Sequence, residues 1–308
     1  METNDHKRKP RAPRVRWTIV SIVLLAALLA ACTGERNTTP GNDRADADSS
    51  GPTANAQGAS GAATRPVVHE AFDLTLTDLE ELVSDLPDQV QQRVFASPEE
   101  FLALTLLVLE EPPALTVLVD KETPLGPAYA PQEIVALDPL SDNLALSRGG
   151  HRLAAIAVEP LVRMSMAARD ENITLLVSSA YRSFEYQREV YARWVDQLGQ
   201  EEADRVSARP GTSQHQLGTA VDFGCICPDI AEQPAGRWLA ANAWEYGFSM
   251  SYPPDGEEIT GYSYEPWHFR YVGRPAAELE QRFFAGIQQW MLEFLHEHRP
   301  VLEEARPS

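Results

Sequence analysis

Residues 33–66 run for 34 positions without one Val, Ile, Leu, Met, Phe, Tyr or Trp. A segment of that composition cannot bury enough apolar surface to offset the entropy of ordering it. Any fold must therefore be built from the residues beyond it, and residues 32–66 read as a tether. A Gly/Ser/Ala-rich coil of this length has a root-mean-square span of about 30–35 Å. Over all 308 residues the hydrophobic fraction is 44% and the charged fraction 23%. That balance supports an ordinary core beyond the tether and excludes collagen-like or wholly disordered chains. Lys+Arg number 26 against Asp+Glu 45, a net charge of −19. So acidic a chain is not drawn nonspecifically to nucleic acid, and no nucleic-acid partner is expected.

The acidity is not uniform. Residues 1–31 hold six basic side chains (Lys7, Arg8, Lys9, Arg11, Arg14, Arg16) and only two acidic ones (Glu2, Asp5). They lead into fifteen uncharged residues, 17–31, and then Cys32. A positive leader, an apolar run and small residues before a cut form a signal peptide. As a helix the run would span about 22 Å, short of the ~30 Å hydrocarbon core, so a permanent membrane span is not expected. Leu29-Ala30-Ala31-Cys32 resembles the lipobox of bacterial lipoproteins. That resemblance implies a diacylated Cys32, a membrane attachment through it, and a place in the cell envelope facing the periplasm or cell surface; two acyl chains supply the double anchor that stable attachment needs.

Residues 67–113 have helical apolar spacing, with Ser97-Pro98-Glu99-Glu100 offering an N-cap, a first-turn proline and a capping-box acid. Beyond Pro112-Pro113 strands and helices interleave. Strands are expected at 115–119, 173–178, 219–223 and 268–272, and helices at 159–169, 184–198, 236–246 and 276–298. With no parallel-crossover rhythm and no internal repeat, the class is α+β. The chain divides into a signal peptide (1–31), the tether (32–66), a helical segment (67–113), a principal domain (114–275) and a C-terminal helix (276–308). Cys225-Ile-Cys227 lacks the CxxC spacing of zinc sites, and a disulfide across one residue would be strained. These cysteines are expected to be small, half-buried residues in a loop, with pairing or metal binding in an exported, oxidising setting as the alternative.

Among seven histidines, two have chemically useful surroundings. His215 lies in a glycine-bearing loop with Asp222 on the next strand, and His268 lies in Glu265-Pro266-Trp267-His268. Two imidazoles and one carboxylate are the ligand set of a catalytic zinc site with its fourth position open. Glu265, three residues before His268, is then placed as a base, and Trp267 and Phe269 are expected to pack beside the metal. On residue types alone a core histidine and a loop carboxylate remain the alternative.

The spaced pattern Ser213-x-His215-x-x-Gly218-x-Ala220-x-Asp222, followed by Glu265-x-Trp267-His268 and preceded by Ser179-Ala180-Tyr181-Arg182-Ser183-x-x-x-Gln187, resembles the VanY-type zinc D-alanyl-D-alanine carboxypeptidases. The resemblance spans residues 115–273 and implies a Hedgehog/DD-peptidase-like zinc peptidase domain. It implies Zn2+ on His215, Asp222 and His268, Glu265 as general base, Arg182 on the substrate's terminal carboxylate, and Ser213 and Gln187 lining the site. It implies peptidoglycan stem peptides as substrate and loss of the terminal D-alanine as the reaction. L,D-carboxypeptidase or D-Ala-D-Ala dipeptidase specificity would use the same site, and a non-catalytic cell-wall-binding zinc module is the alternative from another class. Gln214 departs from the Glu of many relatives.

Overall fold

The computed structural model describes residues 66–307. The expected signal peptide, Cys32 and nearly all of the tether lie outside the described residues. In chain order the elements begin with α1 (Leu76–Val83), α2 (Asp88–Ala96) and α3 (Pro98–Glu110), then β1 (Ile134–Ala136), β2 (Ala145–Leu146) and β3 (Arg152–Ala154). Next come α4 (Ala155–Asp170), β4 (Leu176–Ser179), α5 (Phe184–Leu198), α6 (Gln200–Val206), β5 (Ala220–Phe223) and α7 (Pro234–Asn242). The chain continues through β6 (Phe248–Met250), α8 (Glu257–Thr260), β7 (His268–Tyr271), α9 (Arg274–Phe283) and α10 (Gln288–Glu304).

The helical start is set by local signals. Thr75 and Asp78 form a reciprocal capping box at α1, with the Thr75 amide 2.8 Å from Asp78 Oδ2. Ser97 and Pro98 do open α3, but the Ser97 side chain makes no capping hydrogen bond. The C-terminal segment is two helices rather than one. Ala285 (φ 56°) and Gly286 (φ 73°) are consecutive left-handed residues, which turn the chain between α9 and α10. Phe101 of α3 then packs on Phe283 of α9 (ring centroids 5.3 Å) and Phe294 of α10 (5.6 Å). The helices on either side of the sheet region in sequence thus share one apolar core. Burying a phenylalanine such as Phe101 contributes about 1.5–3 kcal/mol.

The strand expected at 115–119 is absent. Pro113 opens a 3-10 turn, Pro113–Thr116, and the carbonyls of Leu115 and Val117 accept from the buried Arg270 Nη2 at 2.9 and 2.8 Å. With two prolines lacking N–H groups and two carbonyls occupied by a guanidinium, a sheet ladder has little to pair with. Nor are Cys225 and Cys227 free: they form a disulfide. Gly224 at φ 62° and the extended Cys227 bring the two cysteine Cα atoms to 5.2 Å, inside the range that a disulfide can bridge.

Five strands form the principal sheet in the order β2-β4-β5-β7-β6, with β2 and β4 parallel and the other pairs antiparallel. β1 and β3 make a separate antiparallel pair. Alternation sorts the central strands: Val221, Phe223 and Phe269 enter a core with Leu161 and Met164 of α4 and Leu239 of α7. Asp222 and His268 therefore face the other side. Phe269 packs against Phe223 at 6.1 Å in that core, so it does not flank His268 as expected, whereas Trp267 does border the cleft beside it.

Candidate metal centre

The β5–β7 register sets Asp222 directly opposite His268. His215 arrives from the 3-10 turn Gln214–Leu217, whose entry is capped by Ser213 Oγ accepting from the His215 amide at 3.3 Å. The turn ends at Gly218 with φ 75°, and a Cβ there would lie 2.7 Å from Pro131 Cγ. Only glycine satisfies both the left-handed backbone and that approach.

His215 Nδ1–H donates to the Ala180 carbonyl at 2.6 Å, which leaves Nε2 with its lone pair. That Nε2 is buried without a hydrogen-bond partner and lies 3.2 Å from Asp222 Oδ2. His268 Nδ1 lies 3.0 Å from Asp222 Oδ1. The three donor atoms fall within 4.8 Å of one another. Ligands about 2.0–2.1 Å from a tetrahedral metal stand about 3.3–3.4 Å apart, so the two separations to Asp222 are close to the edges of a zinc coordination shell. A lone pair facing a carboxylate in a dry site also calls for a cation between them.

The electrostatics agree. Burial, helped by the charge of Arg182 and opposed by Asp222, pushes His215 down to about 4, so the ring is a neutral donor at neutral pH. Burial pushes the Asp222 carboxyl up, but the two imidazoles outweigh it and hold the group well below the usual carboxylate range. Glu265 behaves oppositely: burial and then the neighbouring Asp222 charge raise it well above that range, with Arg182 opposing. Its Oε2 lies 3.6 Å from His268 Nδ1.

These groups open on a cleft of about 560 Å³. Arg182, Ser213, Gln187 and Glu265 all border it, so every site residue expected from sequence, apart from Cys32 outside the described residues, meets here. The Arg182 amide donates to the His215 carbonyl at 3.2 Å, and its Nη2 lies 3.9 Å from Asp222 Oδ2. Gln187 Nε2 donates to the Ala208 carbonyl at 2.7 Å, while its buried Oε1 has no hydrogen-bond partner. Sequence reasoning missed Tyr252, whose ring lies 4.9 Å from that of His268. Tyr252 stands in no motif, and only the fold brings it there.

Residues 150–274 match the family model described as VanY, D-alanyl-D-alanine carboxypeptidase. A D-alanyl-D-alanine carboxypeptidase of Enterococcus faecalis is 36% identical over 171 residues, 52% of this chain and 59% of the relative, so the match spans less than two thirds of that relative's length. The bifunctional D-Ala-D-Ala dipeptidase and carboxypeptidase VanXYC of Enterococcus gallinarum is 33% identical over 189 residues, 59% of this chain and 93% of its own. The solved structure of the LD-carboxypeptidase LdcB is 30% identical with a TM-score of 0.53, covering 59% of this chain and 86% of that one. Two imidazoles and one carboxylate are a donor set that fits zinc. From the fold, the donor set and the extent of these matches, the chain belongs to the VanY family of D-alanyl-D-alanine carboxypeptidases.

Proposed function

We propose that the protein is a zinc-dependent D,D-carboxypeptidase that removes the terminal D-alanine from peptidoglycan stem peptides outside the cytoplasm. The observation that carries the reading is the convergence of His215 Nε2, Asp222 and His268 Nδ1 on one point, with Glu265 and Arg182 on the wall of the same cleft.

Each residue has a role that its chemistry suits. His215, Asp222 and His268 hold Zn2+, which when bound supplies Lewis acidity toward the attacking water and the scissile carbonyl. Glu265 Oε2 takes the proton of the water as it attacks and passes it to the departing D-alanine amine. A carboxyl raised by burial is suited to that exchange, because it holds a proton more readily than an ordinary glutamate. Arg182, 19% exposed at its side chain, offers a planar guanidinium to the substrate's terminal carboxylate. Ser213 and Gln187 line the pocket.

Export completes the reading: residues 1–31 act as a signal peptide, and an acylated Cys32 ties the domain to the membrane through a tether of about 30 Å. The test is mass spectrometry of products from tri-, tetra- and pentapeptide stems incubated with the zinc-loaded protein. Release of one alanine from the pentapeptide supports the proposal. Cleavage of the tetrapeptide alone, release of an intact D-Ala-D-Ala dipeptide, or no cleavage of any stem contradicts it.

A further inference from the structure

Behind the metal site lies a buried amide pair that joins it to the C-terminal helix. Gln214 is 3% exposed and Gln288, the first residue of α10, is 1% exposed. Gln214 Oε1 lies 3.2 Å from His268 Nε2 and accepts from Ser251 Oγ at 2.6 Å. Gln214 Nε2 donates to Gln288 Oε1 at 3.1 Å, and Gln288 Nε2 donates to Ser249 Oγ at 2.9 Å. Gln288 lies beyond residues 150–274, the span of the family match.

An amide has an accepting end and a donating end, so the orientation of Gln214 decides which His268 tautomer it favours. With its NH2 committed to Gln288, its oxygen must face His268 and accept from Nε2–H. The lone pair of His268 is then on Nδ1, the atom beside Asp222. Were Gln214 reversed, its NH2 would meet Nε2, favour the Nδ1–H tautomer and set a proton where a metal must bind. No bulk water reaches these side chains to supply a substitute acceptor.

We propose that Gln288 is a positioning residue for the metal site, holding Gln214 so that His268 presents its Nδ1 lone pair to Zn2+. The inference rests on the reading of His215, Asp222 and His268 as the zinc ligands. Groups that orient a metal-bound histidine typically contribute 10–100-fold to metal affinity. The test is Zn2+ affinity of the full chain by chelator competition, together with 15N NMR of the His268 ring in the zinc-loaded protein.

Gln288→Met keeps the side-chain length but cannot accept from Gln214. It should weaken Zn2+ about 10–100-fold, while Gln288→Glu, which still accepts, should retain affinity within a few-fold. In a Gln214→Met background the Gln288→Met change should cost nothing further, because its effect runs through Gln214. A merely structural role would instead give equal losses in both backgrounds, and that additivity would overturn the inference. So would wild-type affinity in Gln288→Met, or an Nε2-ligated His268 in the NMR spectrum. A wild-type chain that binds no Zn2+ would remove the reading on which the inference stands, a failure distinguishable from tight binding that ignores residue 288.

Discussion

Asp222 and His268 face each other across the β5–β7 ladder, with His268 Nδ1 3.0 Å from Asp222 Oδ1. Strand pairing, rather than a flexible loop, thus sets two of the three proposed ligands, and a one-residue slip of either strand would turn its residue into the core. His215 is held by its own tether, the 2.6 Å bond from Nδ1 to the Ala180 carbonyl.

Asp222→Asn should keep the shape of the strand pair and lose its charge. Zn2+ affinity is expected to fall by more than ~100-fold, beyond what outer-shell changes cost. Chelator competition measures it, and an affinity within a few-fold of wild type would remove Asp222 from the ligand set.

Glu265→Gln separates binding from turnover. The variant is expected to hold stoichiometric zinc while kcat falls roughly 10²–10⁴-fold, the usual contribution of a positioned acid–base group. Zinc content from metal analysis and kcat on a pentapeptide stem provide the two readouts. Parallel loss of both would make Glu265 a structural residue instead.

Arg182→Ala should lower kcat/KM about ten- to a hundredfold, in keeping with ~1.5–3 kcal/mol for a charge-assisted hydrogen bond. Substrates amidated at the C-terminus should lose the distinction between wild type and variant. If the amidated peptide discriminates as strongly as the free acid, the guanidinium does not read the carboxylate.

Glu280, on α9, gives a pH signature that does not involve the ligands. Burial, with Ser249 opposing, pushes its carboxyl up to about 8. An unfolded glutamate titrates near 4.3, so between there and about 8 the folded chain keeps a proton that the unfolded chain has released. Stability from this group therefore falls as pH rises through that window and is level above it. Glu280→Gln should change stability little at pH 4 and raise it progressively towards pH 8, by up to ~1.4 kcal/mol per pH unit across the window. Urea unfolding of both proteins at pH 5 and 8 measures the difference; a gain independent of pH would contradict the assignment.

The segments that carry His215 and Asp222 were legible in the sequence because their signals are local. His215 and Asp222 sit seven residues apart in a turn and strand, and α5 spans Phe184–Leu198 as its amphipathic spacing and the Ser183 cap require. Signals that depend on distant partners were not legible. The carbonyls of Leu115 and Val117 are claimed by Arg270 from more than 150 residues away, which turns an apparent strand into a turn and loop. The C-terminal pattern reads as one helix until Ala285 and Gly286 reverse the chain, and Gly286 was the available warning. The Gln214–Gln288 pair joins positions 74 apart, and neither glutamine looks chemical by itself.

The central claim is that three side chains from a turn and two paired strands hold one zinc ion. Anomalous diffraction at the zinc edge from crystals of the zinc-loaded protein tests it most directly. The account predicts one principal peak about 2.0–2.2 Å from each of His215 Nε2, an Asp222 carboxylate oxygen and His268 Nδ1. A peak elsewhere, or one reached by fewer than these three atoms, would contradict it.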